Sequence, residues 1–410
     1  MTIMTNDSMK KMLLLWMGVM LVLALTGCKK DSDDPEGTPI DNPIDNPVDN
    51  PVENPNNPDG VPNGTYIPAM GYVFDGLFYY IDVNGGTATF CLQTNEAIES
   101  ITIPQQIELD GKNYTVTKIN NYSLSGLKQL TSVKLPSTIT YIGDEAFTGC
   151  EKLAIINLPD GLTEIRLGTF QYCKALTSVN LSLGLTEINN YAFNGCESLT
   201  SVTLPATLTS IGQEAFHDCK SLKSVVIPEG VISIGLDAFK DCKSLTTLSI
   251  PAGVQYYFDP FEGCDAIEHL NVSCMFVGRF GSNVTTLVLG EGVTNIEGNA
   301  FDGCTKLNSV QFSNTVREVG PYAFRNCSSL TSIVLPESLT QIDDRAFYGC
   351  KNLMSVTCNA STPPYFPDVS GYPVFDPETQ ENGTLYVPSL CVDAYMSAPV
   401  WRDFKNIVGL

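Results

Sequence analysis

Large apolar residues return at a nearly constant interval over most of this chain. Phenylalanine recurs every 23 residues in a first run of five copies, steps once by 22 residues, and recurs every 23 residues in a last run of three. These phenylalanines are Phe147, Phe170, Phe193, Phe216, Phe239, Phe261, Phe301, Phe324 and Phe347. An internal repeat of this length predicts a stack of similar units, each buried against its neighbours.

Each unit carries the pattern of one short β-strand. In the unit that begins at Leu199, Val202 and Leu204 alternate with hydroxyl residues, and Pro205 follows. An alternation with period two indicates a strand with one buried face. A 23-residue period is too short for a helical hairpin and lies in the range of leucine-rich repeats. We therefore expect a β-rich leucine-rich-repeat solenoid with one short parallel strand in each coil.

The repeat is interrupted between Phe261 and Phe301, which are forty residues apart. One unit of seventeen residues and one of twenty-three account for this length if Leu287 lies in the strand and Gly281 takes the repeat position of cysteine. The six missing residues would come from the arc opposite the strand. We therefore expect a local irregularity at this shortened coil.

Aromatic residues surround the shortened coil, at Tyr256, Tyr257, Phe258, Phe276 and Phe280. Two interpretations stay open. The rings either pack around the irregularity or form an exposed patch on which sugar rings stack, with Tyr256 and Tyr257 as the candidate binding residues.

Several segments of the chain resemble one known family. The repeat Ile142–Cys150, which recurs through Ile342–Cys350, resembles the BspA-like leucine-rich repeats of bacterial surface proteins. Asp110–Ile119 looks like the lead-in segment of that family, and Leu385–Pro388 with Trp401–Phe404 is similar to its closing cap. The resemblance implies a non-enzymatic adhesin that binds host extracellular proteins such as fibronectin and fibrinogen. It assigns no individual binding residue.

Both ends of the repeat region have the features of caps. The segments 77–82 and 87–92 alternate on either side of Asn84-Gly85, which predicts a β-hairpin, and Tyr79, Tyr80 and Phe90 are expected to cover the first coil. At the other end, Tyr395, Trp401 and Phe404 are expected to cover the last coil.

The N-terminal residues have the organisation of a bacterial lipoprotein signal. Lys10 and Lys11 precede a fourteen-residue apolar run, which is too short to span a bilayer, and the run leads to Leu-Thr-Gly-Cys28. This string resembles a lipobox, so Cys28 is the expected lipidation site. The following segment 29–34 looks like the signal that exports some lipoproteins to the outer face of the outer membrane. The predicted location is therefore the outer membrane, lipid-anchored and facing the cell exterior.

A tetrapeptide with proline at its fourth position repeats four times over 40–55 and predicts an extended acidic spacer. The expected organisation follows from these features: a signal peptide at 1–27, an acidic tether at 28–64, an N-terminal β cap and lead-in at 65–119, leucine-rich repeats at 120–360, and a C-terminal loop and cap at 361–410.

Composition excludes some classes of function. The 410 residues carry 45 acidic and 23 basic side chains, a net charge of -22, which excludes the basic footprint of a nucleic-acid-binding protein. Two histidines exclude sites built from several imidazoles. The pattern predicts no cofactor, no metal site and no catalytic residue. His217, in a turn, is expected to be solvated.

Cysteine is abundant, with fourteen residues, nine of which share one repeat position. These nine are Cys150, Cys173, Cys196, Cys219, Cys242, Cys264, Cys304, Cys327 and Cys350. Disulfides between adjoining coils would be sterically feasible but would leave one of nine unpaired, and a column does not converge on a metal ion. We favour the third interpretation, in which each is a small buried thiol.

The outward face of the predicted strands carries a row of hydroxyl residues suited to hydrogen-bonding an extended peptide or glycan, unless the hydroxyls only solvate the sheet. Its members are Ser132, Ser178, Ser201, Ser224, Thr247, Ser309, Ser332 and Ser355. His269 falls in the same row beside Thr247 and Thr286. No oxyanion motif accompanies it, which argues against catalysis.

The candidate ligand-binding residues are therefore Ser178, Ser201, Ser224, Thr247, His269, Tyr256 and Tyr257. The predicted function is a surface adhesin or protein-interaction scaffold; the alternative is a glycan-capture protein.

Overall fold

A computed structural model describes residues 63–67, 71–92, 96–255, 260–277, 280–367 and 372–410. The signal peptide, Cys28 and nearly all of the tether lie outside these residues. The described residues belong to two compact units, one ending at Gly184 and the other beginning at Leu185.

The first unit contains β-strands of two to eight residues. They are β1 (Thr65–Ile67), β2 (Gly71–Phe74), β3 (Leu77–Asp82), β4 (Thr87–Leu92), β5 (Ser100–Thr102), β6 (Gln106–Leu109), β7 (Lys112–Ile119), β8 (Ser132–Lys134), β9 (Tyr141–Ile142), β10 (Ile155–Asn157), β11 (Glu164–Ile165) and β12 (Ser178–Asn180).

The predicted hairpin forms the centre of the N-terminal sheet of this unit. Strands β1 to β4 form an antiparallel meander, in which Asp82 pairs with Thr87. The Asp82 carboxylate accepts hydrogen bonds from the backbone N–H groups of Asn84 and Gly85 and thereby fixes the turn. Of the three aromatic residues expected to cover the first coil, Tyr79 and Phe90 are fully buried edge to face, whereas Tyr80 is half-buried.

The parallel stack begins where β4 pairs with β7 and β7 pairs with β9. A second parallel sheet runs in the order β5, β8, β10, β12. The first unit therefore changes from antiparallel to parallel pairing before the first repeat phenylalanine.

The second unit consists mostly of short strands with helical turns near its C-terminal end. The strands are β13 (Glu187–Ile188), β14 (Ser201–Val202), β15 (Ser210–Ile211), β16 (Ser224–Val226), β17 (Ser233–Ile234), β18 (Thr247–Ile250), β19 (His269–Val272), β20 (Phe276–Val277), β21 (Thr286–Leu289), β22 (Asn295–Ile296), β23 (Ser309–Gln311), β24 (Glu318–Val319), β25 (Ser332–Leu335), β26 (Gln341–Ile342), β27 (Ser355–Cys358), β28 (Thr384–Val387) and β29 (Asn406–Gly409). The helices are α1 (Pro377–Asn382), α2 (Val392–Ser397) and the 3₁₀ turns Ser389–Cys391 and Trp401–Asp403.

Most coils of the second unit contribute to two parallel sheets. One sheet contains β16, β18, β19, β21 and β23, and a companion sheet contains β13, β15 and β17. Of the other strands, β20, β22, β24 and β26 form one parallel sheet, and β25, β27, β28 and β29 form another. This arrangement confirms the predicted leucine-rich-repeat solenoid.

The repeat phenylalanines form a stacked column in the core. Rings of Phe193, Phe216 and Phe239 lie 5.2 and 5.1 Å apart and nearly parallel, and none is exposed. In the shortened coil the column continues through Phe280, whose ring lies 6.3 Å from Phe261. Apolar area removed from water at every coil is the main stabilising contribution to the stack.

The C-terminal end is closed by the aromatic residues that the sequence indicates. Tyr395, Trp401 and Phe404 are buried. The Trp401 indole donates to the carbonyl of Pro364, and the Tyr395 hydroxyl donates to that of Ala360, so both polar groups are satisfied. None of the helices in the described ranges has the length and apolar character needed to cross a membrane.

Candidate binding surface

The predicted hydroxyl row exists and is set by strand register. Ser224 pairs with Thr247, Thr247 with His269, His269 with Thr286, and Thr286 with Ser309. The next residue of each strand points inward and is mostly buried, as Leu248 and Leu270 are in β18 and β19. The period of two therefore forces the hydroxyl-bearing residues outward.

The candidate residues of the row are accessible. Ser201, Ser224 and Thr247 are exposed, and Ser178, in the first unit, is half-buried. Within the described part of the chain, the hydroxyls of these four residues have no hydrogen-bond partner. They are therefore available to a ligand.

Hydroxyls one residue earlier behave differently. The side chains of Thr177, Thr246 and Thr285 donate to the backbone carbonyls of Ala154, Lys223 and Glu268 in the preceding coils. These threonines are part of the stack. At Ser201, Ser224 and Thr247, in contrast, exposure is combined with unused hydroxyls.

His269 and Thr286 form a pair within the row. Nδ1 of His269 lies 2.8 Å from the Thr286 hydroxyl, and the imidazole is exposed. No other described side chain hydrogen-bonds to the ring. A histidine and a hydroxyl group without an orienting acid or an oxyanion site lack the parts of a nucleophilic triad.

The row differs in three ways from the sequence pattern. Ile155 occupies the place between Ser132 and Ser178 and is 56% exposed, so the row is interrupted by an apolar side chain. The row also includes Ser100 in the first unit, and Thr384 and Asn406 in the second unit. These last positions lie outside the phenylalanine-cysteine motif, which is why the repeat pattern alone does not reveal them.

A second outward row runs two residues further along the same strands. In the first unit it contains Asn157 and Asn180, whose side-chain amides lie 3.4 Å apart. In the second unit it includes Val226 and Val334, which are 68% and 54% exposed. The face of the second unit therefore presents hydroxyls beside isolated apolar side chains and few charges.

The aromatic residues around the shortened coil are only partly covered by the described residues. Tyr256 and Tyr257 lie outside the described residues. Phe280 is buried and stacked between Phe261 and Phe301, which favours packing around the shortened coil for this ring.

The cysteine column consists of buried free thiols. Most of its thiols donate to a backbone carbonyl of the preceding coil, as Cys219 does to Phe193 and Cys350 to Phe324. Burial raises the pKa of the Cys150 thiol to about 12. The small side chain therefore both fills the turn and satisfies a carbonyl, a role that the sequence does not reveal.

Comparison with known proteins agrees with this architecture. The sequence model of the BspA type leucine rich repeat region matches residues 87–220, 186–277 and 275–363 of the chain, with six copies. No curated protein matches significantly.

Solved bacterial structures resemble the chain at low identity. A leucine-rich repeat protein from Bacteroides ovatus is 24% identical, with 82% of this chain and 99% of that chain covered and a TM-score of 0.46. A leucine-rich cell surface protein from Faecalibacterium prausnitzii is 26% identical, with 82% and 94% covered and a TM-score of 0.48. A leucine-rich repeat protein from Eubacterium ventriosum is 21% identical, with 72% and 95% covered and a TM-score of 0.35.

Proposed function

The chain belongs to the BspA-type leucine-rich repeat family, and from this premise we propose that it is a surface adhesin that binds a host extracellular protein on its hydroxyl row. Leucine-rich repeat proteins generally are non-enzymatic binding scaffolds. The observation that carries the proposal is the set of exposed, unpaired hydroxyls at Ser201, Ser224 and Thr247.

The chemistry of this row suits a protein ligand. Each hydroxyl both donates and accepts a hydrogen bond, so the row complements peptide N–H and C=O groups alike. Successive strands place these groups about 4.8 Å apart, which provides a regular series of contacts. Exposed Val226 adds an apolar contact on the same strand as Ser224.

A non-enzymatic role is part of the proposal. The His269 and Thr286 pair is the nearest approach to a nucleophile and base on this face, and the described residues provide it with neither an orienting carboxylate nor an oxyanion site. Binding requires neither.

The proposed location follows from the N-terminal sequence. Cys28 would carry the lipid, and the acidic residues of 28–64 would hold the folded region away from the outer membrane on the exterior side. Cys28→Ser should release the protein from the membrane. Protease treatment of intact cells should digest the native protein; resistance until the cells are lysed would argue against the surface location.

The binding face can be tested with two matched variants of the full-length protein. The triple variant Ser201→Ala/Ser224→Ala/Thr247→Ala removes three hydroxyls of the row. The control Ser210→Ala/Ser233→Ala removes hydroxyls from β15 and β17, on the companion sheet. Binding to immobilised fibronectin, fibrinogen and a glycan panel is then measured.

We expect the triple variant to bind its protein ligand at least about tenfold more weakly, because each hydrogen bond contributes roughly 0.5–1.5 kcal/mol. The control should bind like the native protein. Equal affinities for all three proteins would contradict the proposed face, and binding confined to glycans would favour glycan capture instead.

A further inference from the structure

Metal-binding side chains meet on two adjoining coils of the second unit, away from the hydroxyl row. His217, Asp218 and Asp241 each offer one ligand atom, and these atoms all lie within 4.8 Å of one another. The three residues are half-buried, so an ion from solvent can reach them.

Glu214 orients the imidazole toward the two aspartates. Its carboxylate oxygen lies 3.1 Å from Nδ1 of His217, and with the ring proton on Nδ1 the lone pair of Nε2 is free. Nε2 lies 3.9 Å from the carboxylate of Asp241. The amides of Asn194 and Gln213 donate to the Glu214 carboxylate and hold it in place. Although Asn194 Nδ2 also lies 3.3 Å from Nδ1, its shorter contact is to Glu214. A carboxylate bonded to the far nitrogen is the usual support of a metal-bound histidine.

The two aspartates occupy a backbone position that suits glycine. Asp218 and Asp241 both have a φ of 58°, in the left-handed region. The other described residues with positive φ at this position are Gly126, Gly149, Tyr172, Gly195, Gly263, Gly303, Asn326 and Gly349. Glycine adopts this conformation without steric cost, whereas other residues do so at some expense. Two successive coils thus replace the favoured residue with a carboxylate beside the same histidine.

The present neighbours of the aspartates are exchangeable. Lys220 lies 3.8 Å from Asp218, and Lys243 lies 3.4 Å from Asp241. Both lysine side chains are exposed, and exposed ion pairs contribute little to stability. A divalent cation can therefore displace them.

We propose that His217, Asp218 and Asp241 bind a divalent transition-metal ion such as Zn²⁺, with water or a donor from a bound partner as the fourth ligand. Tetrahedral bonds of about 2.0–2.2 Å place ligand atoms roughly 3.4 Å apart. His217 Nε2 and the Asp241 carboxylate are already 3.9 Å apart, and all three ligand atoms lie within 4.8 Å of one another, so side-chain rotations must shorten each separation by about 1.4 Å at most. The imidazole favours Zn²⁺ over Ca²⁺ and Mg²⁺, which prefer oxygen ligands. The ion would join two successive coils, and its binding does not depend on the proposed adhesin function.

The test uses untagged full-length protein titrated with Zn²⁺ by calorimetry. We expect one Zn²⁺ per chain in the native protein and a loss of affinity of at least about 100-fold in His217→Ala, because a principal ligand is removed. His269→Ala is the matched control, since the chain has only two histidines, and should leave Zn²⁺ binding unchanged. Glu214→Gln should weaken binding about 10-fold through loss of orientation.

The variants Asp218→Gly and Asp241→Gly separate metal binding from folding. Glycine suits the positive φ, so the melting temperature in EDTA should not fall, while Zn²⁺ affinity should drop at least about tenfold. Asn326→Gly makes the same backbone change at another coil and should not alter Zn²⁺ binding. Unchanged Zn²⁺ affinity in His217→Ala, an equal loss in His269→Ala, or Ca²⁺ binding as tight as that of Zn²⁺ would each overturn the proposal.

Discussion

A regular coil and the shortened coil of the second unit share their strand face but differ in their core. Around Phe216 the rings stack at 5.1–5.2 Å with interplanar angles of 6–10°. Around Phe280 the spacings are 6.3 and 6.0 Å, and one angle opens to 28°. Yet β19 and β21 stay paired over four residues in continuous register. Removal of six residues therefore changes the packing column and leaves the outward row intact.

The strand face and the core respond differently to the shortening because different interactions stabilise them. Backbone hydrogen bonds between strands fix the position of the outward residues and depend little on the length of the return arc. Core packing depends on shape, because a gap of less than 1 Å already loses much of the dispersion attraction. The shortened coil is thus a loosely packed site beneath an undisturbed surface.

The largest expected effect on stability comes from truncating one phenylalanine of the column, either in the regular coil or in the shortened coil. Phe216→Ala should lower the free energy of unfolding by about 3–5 kcal/mol, because it leaves a cavity between two tightly stacked rings. Phe280→Ala should cost less, about 2–3 kcal/mol, since the site is already looser and can partly collapse. Urea denaturation of the two variants measures the difference. An equal or larger loss for Phe280→Ala would contradict the comparison.

Glycine positions give a second comparison between the two coils. A Cβ at Gly212 would lie 2.5 Å from the backbone nitrogen of Asn190, whereas a Cβ at Gly281 would lie 3.0 Å from Cα of Asp265. Gly212→Ala should therefore destabilise by about 1–3 kcal/mol, and Gly281→Ala by less than about 1 kcal/mol. Melting temperatures compare them directly. If both variants melted at the native temperature, close contact between coils would not be limiting.

The buried thiols give a pH-dependent effect. The pKa of Cys150 rises from the ordinary 9.0 to about 12 because burial disfavours the thiolate. The protonated Cys150 thiol contributes fully to the free energy of unfolding below pH 9. This contribution is lost as the pH rises from 9 to about 12, because in that range the thiol of the unfolded chain releases its proton while the thiol of the folded chain keeps it. Each such thiol should lower the free energy of unfolding by roughly 1.4 kcal/mol per pH unit in this window.

Urea titrations at pH 8, 9.5 and 10.5 test this effect. Cys150→Ala should show a shallower decline than the native protein. Leu127, at the cysteine position of an earlier coil, gives the control: Leu127→Ala should keep the native slope. Cys304 beside the shortened coil also has a pKa raised to about 12, so Cys304→Ala should behave like Cys150→Ala. Identical slopes in the native protein and both cysteine variants would exclude thiol ionisation as the cause.

The repeat pattern predicted the fold and much of the binding face but not every contact. Phe216 and Ser224 could be placed because period and alternation determine which side chains face inward. Phe375, which continues the ring column from Phe347 at 5.5 Å, follows after 28 residues and has no repeat motif around it. His217 and Asp241 are close only because they lie on adjoining coils. Their separation of 24 residues is close to the coil length, so the sequence could have predicted that these two side chains are neighbours.

The smallest expected stability effect concerns the surface that the two coils share. Thr247→Ala on a regular coil and Thr286→Ala on the shortened coil should each change the free energy of unfolding by less than about 0.5 kcal/mol, because both side chains lie on the outward face. Thr286→Ala also removes the contact with Nδ1 of His269. NMR spectra recorded at one fixed pH should therefore show a larger chemical-shift change of the His269 ring signals in Thr286→Ala than in Thr247→Ala. A stability loss above about 1 kcal/mol in either variant would mean that the row supports the fold, and would weaken its assignment as a free binding surface.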